Sequence, residues 1–235
     1  MPNPIIFKLI DKCIYDYKLI QDGDKILVGA SGGKDSTALI QYLALLQKRN
    51  KVNFTLTCVH IQSEFGGPLP ENIARLFKEL NVNLEVIEVD VQGRLKEGKK
   101  MSCYWCSTQR RVELIHYALE HGYNKIALGH HLDDVLETFL MNMIDKAEMS
   151  TMTPILQYKD YPLSIIRPLC YVPEEMIIDF AKEQGYYGWT CTCNFQSNST
   201  RKDARAKLKV ITDGDPGNKR HMFMALKHIK SEYLP

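Results

Sequence analysis

The sequence predicts an α/β protein with a doubly wound parallel sheet, and three observations carry that prediction. Strand-like and helix-like hydrophobic patterns alternate along residues 25–166, which is the signature of strands joined by helical crossovers. The apolar stretch Lys25-Ile-Leu-Val-Gly-Ala30 runs straight into Ser31-Gly32-Gly33-Lys34-Asp35-Ser36, a glycine turn opening a helical pattern. Further polar motifs, His60-Ile61-Gln62 and Gly129-His130-His131, follow other predicted strands, so all three groups fall at strand carboxyl ends and converge on one crevice.

In chain order, Asn3-Pro4 provides a cap and a first helical residue for an amphipathic helix reaching about Ile20. Strands at 25–30, 54–61, 84–90, 125–129 and 163–166 alternate with helices at 36–49, 71–80, 107–121 and 132–144. In the first of these helices Leu39, Ile40, Leu43 and Leu46 set the helical period. After Pro168 the character changes. Pro173-Glu174-Glu175 starts a helix ending near Gly185, and a Tyr/Gly/Trp/Cys-rich stretch leads to Cys193. Helices at about 199–211 and 217–230 flank Asp213-Gly-Asp-Pro-Gly217. The expected organisation is an N-terminal helix (1–22), a nucleotide-binding domain (23–170) and a helical segment (171–235).

At 235 residues, with 45% hydrophobic and 25% charged residues, the chain has an ordinary globular composition. No run of about 18 apolar residues marks a membrane span, and no basic-then-apolar N-terminus marks a secretory signal. A cytoplasmic protein is expected. Seven cysteines, an odd number without an export signal, argue for metal or redox chemistry over a disulfide framework. Net charge is only +2, but it is unevenly spread. Residues 91–111 carry Arg94, Lys96, Lys99, Lys100, Arg110 and Arg111 against Glu97 alone, and 194–235 is also rich in Lys and Arg. These segments read either as a nucleic-acid footprint or as solvated helix faces.

Two adjacent glycines let backbone approach an anion, while the helix dipole, Ser31, Ser36 and Lys34 supply donors and positive charge. The site is suited to phosphate. It is not a Walker loop, because Asp35 follows Lys34 where Ser or Thr is needed and Val28 replaces a glycine; the dinucleotide fingerprint lacks its third glycine. The motif S-G-G-K-D-S instead resembles the PP-loop of the ATP-pyrophosphatase superfamily, which implies the Rossmann-like sheet of that type and adenylation of a carbonyl oxygen.

Cys103-Tyr-Trp-Cys106 is a C-x-x-C motif, and Cys191-Thr-Cys193 offers one or two further ligands. Spacing alone leaves a zinc site and an iron–sulfur site open. Cys13, Cys58 and Cys170 lie in helix or strand patterns and are expected in the core.

Taken in order, S-G-G-K-D-S, V-H-I-Q at 59–62, C-x-x-C at 103–106, G-H-H-L-D-D at 129–134, I-R-P-L at 166–169 and C-N-F-Q-S-N at 193–198 resemble the tRNA 2-thiocytidine synthetases over nearly the whole chain. That resemblance implies an ATP-dependent sulfurtransferase that replaces the 2-oxo group of the cytidine at tRNA position 32 with sulfur. It implies a [4Fe–4S] cluster on Cys103, Cys106 and Cys193, with Cys191 as the rival third ligand because this chain has C-T-C in place of a second C-x-x-C. It places ATP phosphates on Ser31, Gly32, Gly33, Lys34, Asp35 and Ser36, and adenine near Ala30, His60 and Gly129.

Lys34 would neutralise developing charge, and Asp35 would help to hold Mg²⁺. Arg110 is expected to stabilise the transition state or to pair ions at the surface. Asp133 and Asp134 are read as Mg²⁺ or proton-handling groups, or as helix caps. Trp105 and Tyr104 either stack on RNA bases or pack locally. Expected partners are tRNA, a cysteine desulfurase or other persulfide donor, and a second copy in a homodimer. The alternatives are an adenylating ligase with structural zinc, similar to lysidine synthetase, a nucleotide-binding module without turnover, and a thiolase acting on another base or small acceptor.

Overall fold

The computed structural model of the chain describes residues 4–98, 100–188 and 199–233. Cys191 and Cys193 therefore lie outside the described residues. Elements follow in the order α1 (Ile5–Tyr17), β1 (Asp24–Gly29), α2 (Lys34–Lys48), β2 (Phe54–Ser63), α3 (Glu71–Glu79), β3 (Asn83–Val89), α4 (Cys103–Glu120), β4 (Lys125–Ala127), α5 (Leu132–Lys146), β5 (Ile155–Gln157), β6 (Ser164–Ile166), a 3-10 turn (Pro168–Tyr171), α6 (Glu174–Glu183), α7 (Ser199–Thr212) and α8 (Pro216–Ala225).

The sheet order is β3-β2-β1-β4-β6-β5, and every neighbouring pair is parallel except β5 with β6. The chain runs outward from β1 to β3, then returns to place β4 on the other side of β1. The strand order thus reverses between β1 and β4, where a crevice opens beyond the carboxyl ends. Register brings the two ends level, with Val28 paired to both Cys58 and Ala127. Edge strand β5 was not anticipated. Ile155 is partly buried and Leu156 and Gln157 are exposed, so no alternating pattern marks them.

Alternation along the strands sorts side chains onto two faces. Ile26, Val28, Leu56 and Cys58 join the larger core with α1, α2, α3, α5 and α6. Leu27, Val59, Ile61 and Ile126 face α4 in a smaller core with Leu114 and Ala118. Residues from both flanking segments enter the larger core, Ile10 and Cys13 from α1 and Ala204, Leu208 and Phe223 from α7 and α8. Cys13, Cys58 and Cys170 are fully buried, as core residues should be. Among the described residues no helix is long and apolar enough to cross a membrane.

Two helices begin earlier than their hydrophobic period indicates, and both starts matter. The helix expected at 36–49 begins at Lys34, and the one expected at 107–121 begins at Cys103. Neither the charged Lys34-Asp35 start nor the Cys103-Tyr104-Trp105-Cys106 turn continues the apolar period of its helix, so pattern reading places the helix start too late.

Candidate active site

β1 ends in a tight loop. Ala30 N–H donates to the Val59 carbonyl at 2.8 Å, continuing the ladder for one residue. Gly32 then adopts φ +82°, a left-handed conformation that glycine alone enters without strain. Ser31 Oγ lies 2.9 Å from Ser36 Oγ, and Ser36 Oγ donates to the Gly33 carbonyl at 3.1 Å, so the two serines lace the loop across its base. No side chain caps the N-terminus of α2. Its first amides are left as donors at the positive end of the dipole, the arrangement that receives phosphate.

Gly129, beyond β4, abuts this loop. A β-carbon there would stand 3.0 Å from the Asp35 carbonyl carbon and 3.0 Å from the Ser36 nitrogen. Only a residue without a side chain allows the β4 loop so close. Lys34 Nζ is shared between Asp35 Oδ2 at 3.1 Å and Glu174 Oε1 at 3.0 Å. Burial raises the Asp35 pKa, with His131 and Lys34 opposing, and its buried Oδ1 makes no hydrogen bond. That oxygen lies 3.1 Å from Lys34 Nζ, and a carboxylate oxygen at the phosphate loop is a fitting ligand for Mg²⁺, which takes few protein oxygens alongside phosphate.

Two cavities meet at this loop. The smaller, about 180 Å³, is walled by Ala30, Val59, Ile61, Leu114 and Leu128, with Arg111 and His130 also lining it. The larger, about 600 Å³, is lined by Ser31, Gly33, Lys34, Asp35, His60, Glu174 and Arg205. Ser31 and Arg110 line both. Strand parity explains the division, because Val59 and Ile61 face α4 while His60 points to the opposite side. His60 Nδ1 lies 2.7 Å from the Ala30 carbonyl and donates to it. Nε2 is then left without a hydrogen bond among the described residues, and burial lowers the ring pKa.

At the start of α5, His131 and Asp134 form a reciprocal capping box. His131 Nδ1 accepts from the Asp134 amide at 3.4 Å, and Asp134 Oδ2 accepts from the His131 amide at 3.1 Å. Burial would raise the Asp134 pKa, but His131, His130 and Arg201 outweigh it and hold the carboxyl below its usual range. With Nδ1 accepting, the His131 proton sits on Nε2, within 4.0 Å of carboxylate oxygens of Asp35, Asp134 and Glu174. Asp133 turns elsewhere: its Oδ2 accepts from the Glu174 amide at 2.8 Å, and its Oδ1 pairs with Lys219 at 2.7 Å. Neither Asp133 nor Asp134 lines either cavity.

Cys103 and Cys106 occupy the first turn of α4, spaced three apart so that both thiols share one side. Ser102 caps this turn, its Oγ accepting from the Trp105 amide at 3.1 Å. Ser107, Arg110, Arg111 and Leu114 of the same helix line the small cavity, and Cys103 and Cys106 lie four residues before Ser107 and Arg110. The thiols thus extend the cavity-facing stripe by one turn. Trp105 packs into the smaller core, with its indole nitrogen 3.3 Å from the Val91 carbonyl, whereas Tyr104 is exposed. Among the described residues no three His, Cys, Asp or Glu side chains form a metal site. The two thiols fit part of a cluster site, and the remaining ligand must come from elsewhere, such as the 191–193 segment.

Three site residues escaped the sequence reading. Glu174 was seen only as a helix start, Arg205 only as part of a basic run, and His131 only within the Gly129-His130-His131 motif at a strand end. Glu174 and Arg205 are 140 and more residues from the loop they face, and no local pattern signals such pairing.

The comparisons agree with this geometry. A PP-loop domain family profile matches residues 5–210. A tRNA-cytidine(32) 2-sulfurtransferase of Methylococcus capsulatus is 36% identical over 232 residues, covering 97% of this chain and 80% of the relative. One from Stenotrophomonas maltophilia is 38% identical over 234 residues, covering 96% and 75%. The U34-tRNA thiolase of Methanococcus maripaludis, solved with its [4Fe-4S] cluster, superposes with a TM-score of 0.76 at 21% identity, covering 96% of this chain and 80% of that one. That structural likeness supports the fold. With its loop, its strand order and its near full-length identity to these relatives, the chain belongs to the PP-loop family of tRNA-cytidine(32) 2-sulfurtransferases.

Proposed function

We propose that this protein is an ATP-dependent tRNA sulfurtransferase that adenylates the 2-oxo group of cytidine 32 and exchanges it for sulfur. The observation that carries the reading is the meeting of two cavities at Ser31 and Arg110, one helical turn from the Cys103–Cys106 pair. Adenine suits the small apolar cavity. Ala30 lines it, His60 fixes the Ala30 carbonyl, and Gly129 keeps the opposing loop close. The phosphates lie on residues 31–36, and the larger cavity receives the flipped-out base.

Attack of the cytidine 2-oxygen on the α-phosphate releases pyrophosphate. Lys34 and the α2 amides balance the growing negative charge, and Asp35 holds Mg²⁺. Arg110, placed between the cavities, stabilises charge as AMP later leaves carbon 2. Asp134 positions the loop through its cap, and Asp133 anchors α6 and α8. Cys103, Cys106 and Cys193, with Cys191 the rival, would hold a [4Fe–4S] cluster, which when bound would supply the sulfur-transfer chemistry.

Residues 23–170 act as the ATP-binding domain, with 1–22 and 171–235 as supporting segments. The basic segments meet tRNA. A cysteine desulfurase or another persulfide source supplies sulfur. A homodimer and a cytoplasmic setting accord with the family resemblance.

The test is to incubate the anaerobically prepared protein with tRNA, Mg·ATP and a persulfide source, then digest the RNA and analyse its nucleosides by mass spectrometry. ATP-dependent 2-thiocytidine at position 32 is expected. An amine-substituted cytidine, formed without iron, would replace this reading with the zinc-ligase one.

A further inference from the structure

Glu174 closes the mouth of the phosphate loop. Its Oε1 lies 3.0 Å from Lys34 Nζ, and its Oε2 lies 3.4 Å from a terminal guanidinium nitrogen of Arg205. All three side chains line the larger cavity together with Ser31 and Gly33. A carboxylate bridging two cations at a phosphate loop occupies them as two phosphate oxygens would.

The two partners of this bridge are fixed, and Glu174 is not. Arg205 is held from behind, where its Nε donates to Glu137 Oε1 at 2.6 Å, and the Glu137 side chain is fully buried. The Arg205 charge is therefore already balanced without Glu174. Lys34 is likewise balanced by Asp35. The Glu174 backbone is pinned, its amide bonded to Asp133, while its side chain is held by side-chain partners, Lys34, Arg205 and His131, which rotation about its own bonds would release. The neighbouring acids lack that freedom: Asp134 is in the capping box and Glu137 is buried.

The local charge also calls for an exchange. Asp35, Asp134, Glu137 and Glu174 face Lys34, Arg201 and Arg205, with His131 Nε2 within 4.0 Å of Asp35, Asp134 and Glu174 and with Arg110 lining the same cavity. A triphosphate reaching Lys34 and Arg205 meets the Glu174 carboxylate already on both and is repelled unless that carboxylate turns away. We propose that Arg205 is a second phosphate-binding cation beside Lys34, and that Glu174 is a displaceable counter-ion holding both until ATP arrives. This rests on the nucleotide reading of the cleft.

The experiment is calorimetric titration of the full-length protein with Mg·ATP and, separately, with inorganic pyrophosphate. Glu174→Gln removes the competing charge while keeping the side-chain shape, and it should tighten both ligands several-fold. Arg205→Gln is made together with Glu137→Gln so that no unpaired charge stays buried. This double variant should weaken both ligands at least about tenfold, the scale of one charge-assisted hydrogen bond. If the double variant does not fold, as judged by thermal melting, the Glu174→Gln arm decides. Unchanged affinity in the folded double variant, or unchanged or weaker binding in Glu174→Gln, would overturn the proposal. Failure of the wild type to bind ATP would instead remove the nucleotide reading beneath it.

Discussion

Gly129 and Ser36 approach so closely that a β-carbon on the glycine would stand 3.0 Å from the Ser36 amide nitrogen. That amide belongs to the first turn of α2, where phosphate is expected. Gly129→Ala should push the β4 loop off the phosphate loop, costing about 1–3 kcal/mol of stability as overpacking does. ATP affinity should fall further than this strain alone would cause elsewhere in the core. Urea unfolding and ATP titration on one preparation check both effects, and an unperturbed affinity would assign Gly129 to packing alone.

The His130 ring gives a pH prediction. Burial drives its pKa down to about 4, with Arg167 and Arg111 adding to the effect and Asp134 opposing it. The unfolded chain, with an ordinary imidazole, binds a proton near pH 6.5 while the folded chain stays neutral. Stability from this group is therefore complete above pH 6.5 and is lost as pH falls toward 4, by up to about 3 kcal/mol. Thermal melts across pH 4–7 should show His130→Asn losing less stability on acidification than the wild type. Parallel curves would mean that His130 does not carry this term.

Ser102 bonds the Trp105 amide at the head of the cysteine-bearing turn. Ser102→Ala should cost about 1 kcal/mol and loosen the turn holding Cys103 and Cys106, while leaving the phosphate loop alone. Metal content should drop and ATP affinity should hold; an equal fall in both would indicate general unfolding.

Asp133 and Lys219 form a buried pair 2.7 Å apart. If Asp133 anchors α6 and α8, Lys219→Met should cost about 3–5 kcal/mol, the penalty for stranding a buried charge, and Asp133→Ala should cost less, because Glu175 still pairs with Lys219. The double variant should cost less than their sum. Independent, additive losses, with activity falling only for Asp133→Ala, would restore a catalytic role for Asp133.

The parts of the site legible in the sequence are those built from contiguous residues. Gly32, Lys34 and Ser36 lie within five positions, and Cys103 and Cys106 share one helical turn, so local backbone chemistry places them. Alternation indicated a parallel sheet with the 30–36 and 129–134 loops at one crevice, whereas the reversal between β1 and β4 depends on strand order, which alternation does not fix. Glu174 and Arg205 were not legible, because bringing Glu174 to Lys34 and Arg205 to Glu174 depends on how α6 packs against α2 and α7 against α5. The small apolar cavity was hidden for another reason. Its walls, Val59 and Ile61, flank His60 on the opposite face of β2, and apolar strand residues of this kind read from sequence as core.

The central claim is that a PP-loop ATP site and an iron–sulfur site act together in this chain. The most direct measurement is the visible absorption spectrum of the protein purified without oxygen, with iron, sulfide and zinc content, for the wild type and for Cys103→Ala, Cys106→Ala and Cys193→Ala. A brown protein with about four irons and four sulfides per chain, lost in each variant, is the predicted result. A colourless protein with one tightly held zinc would contradict it and point to adenylation without sulfur transfer.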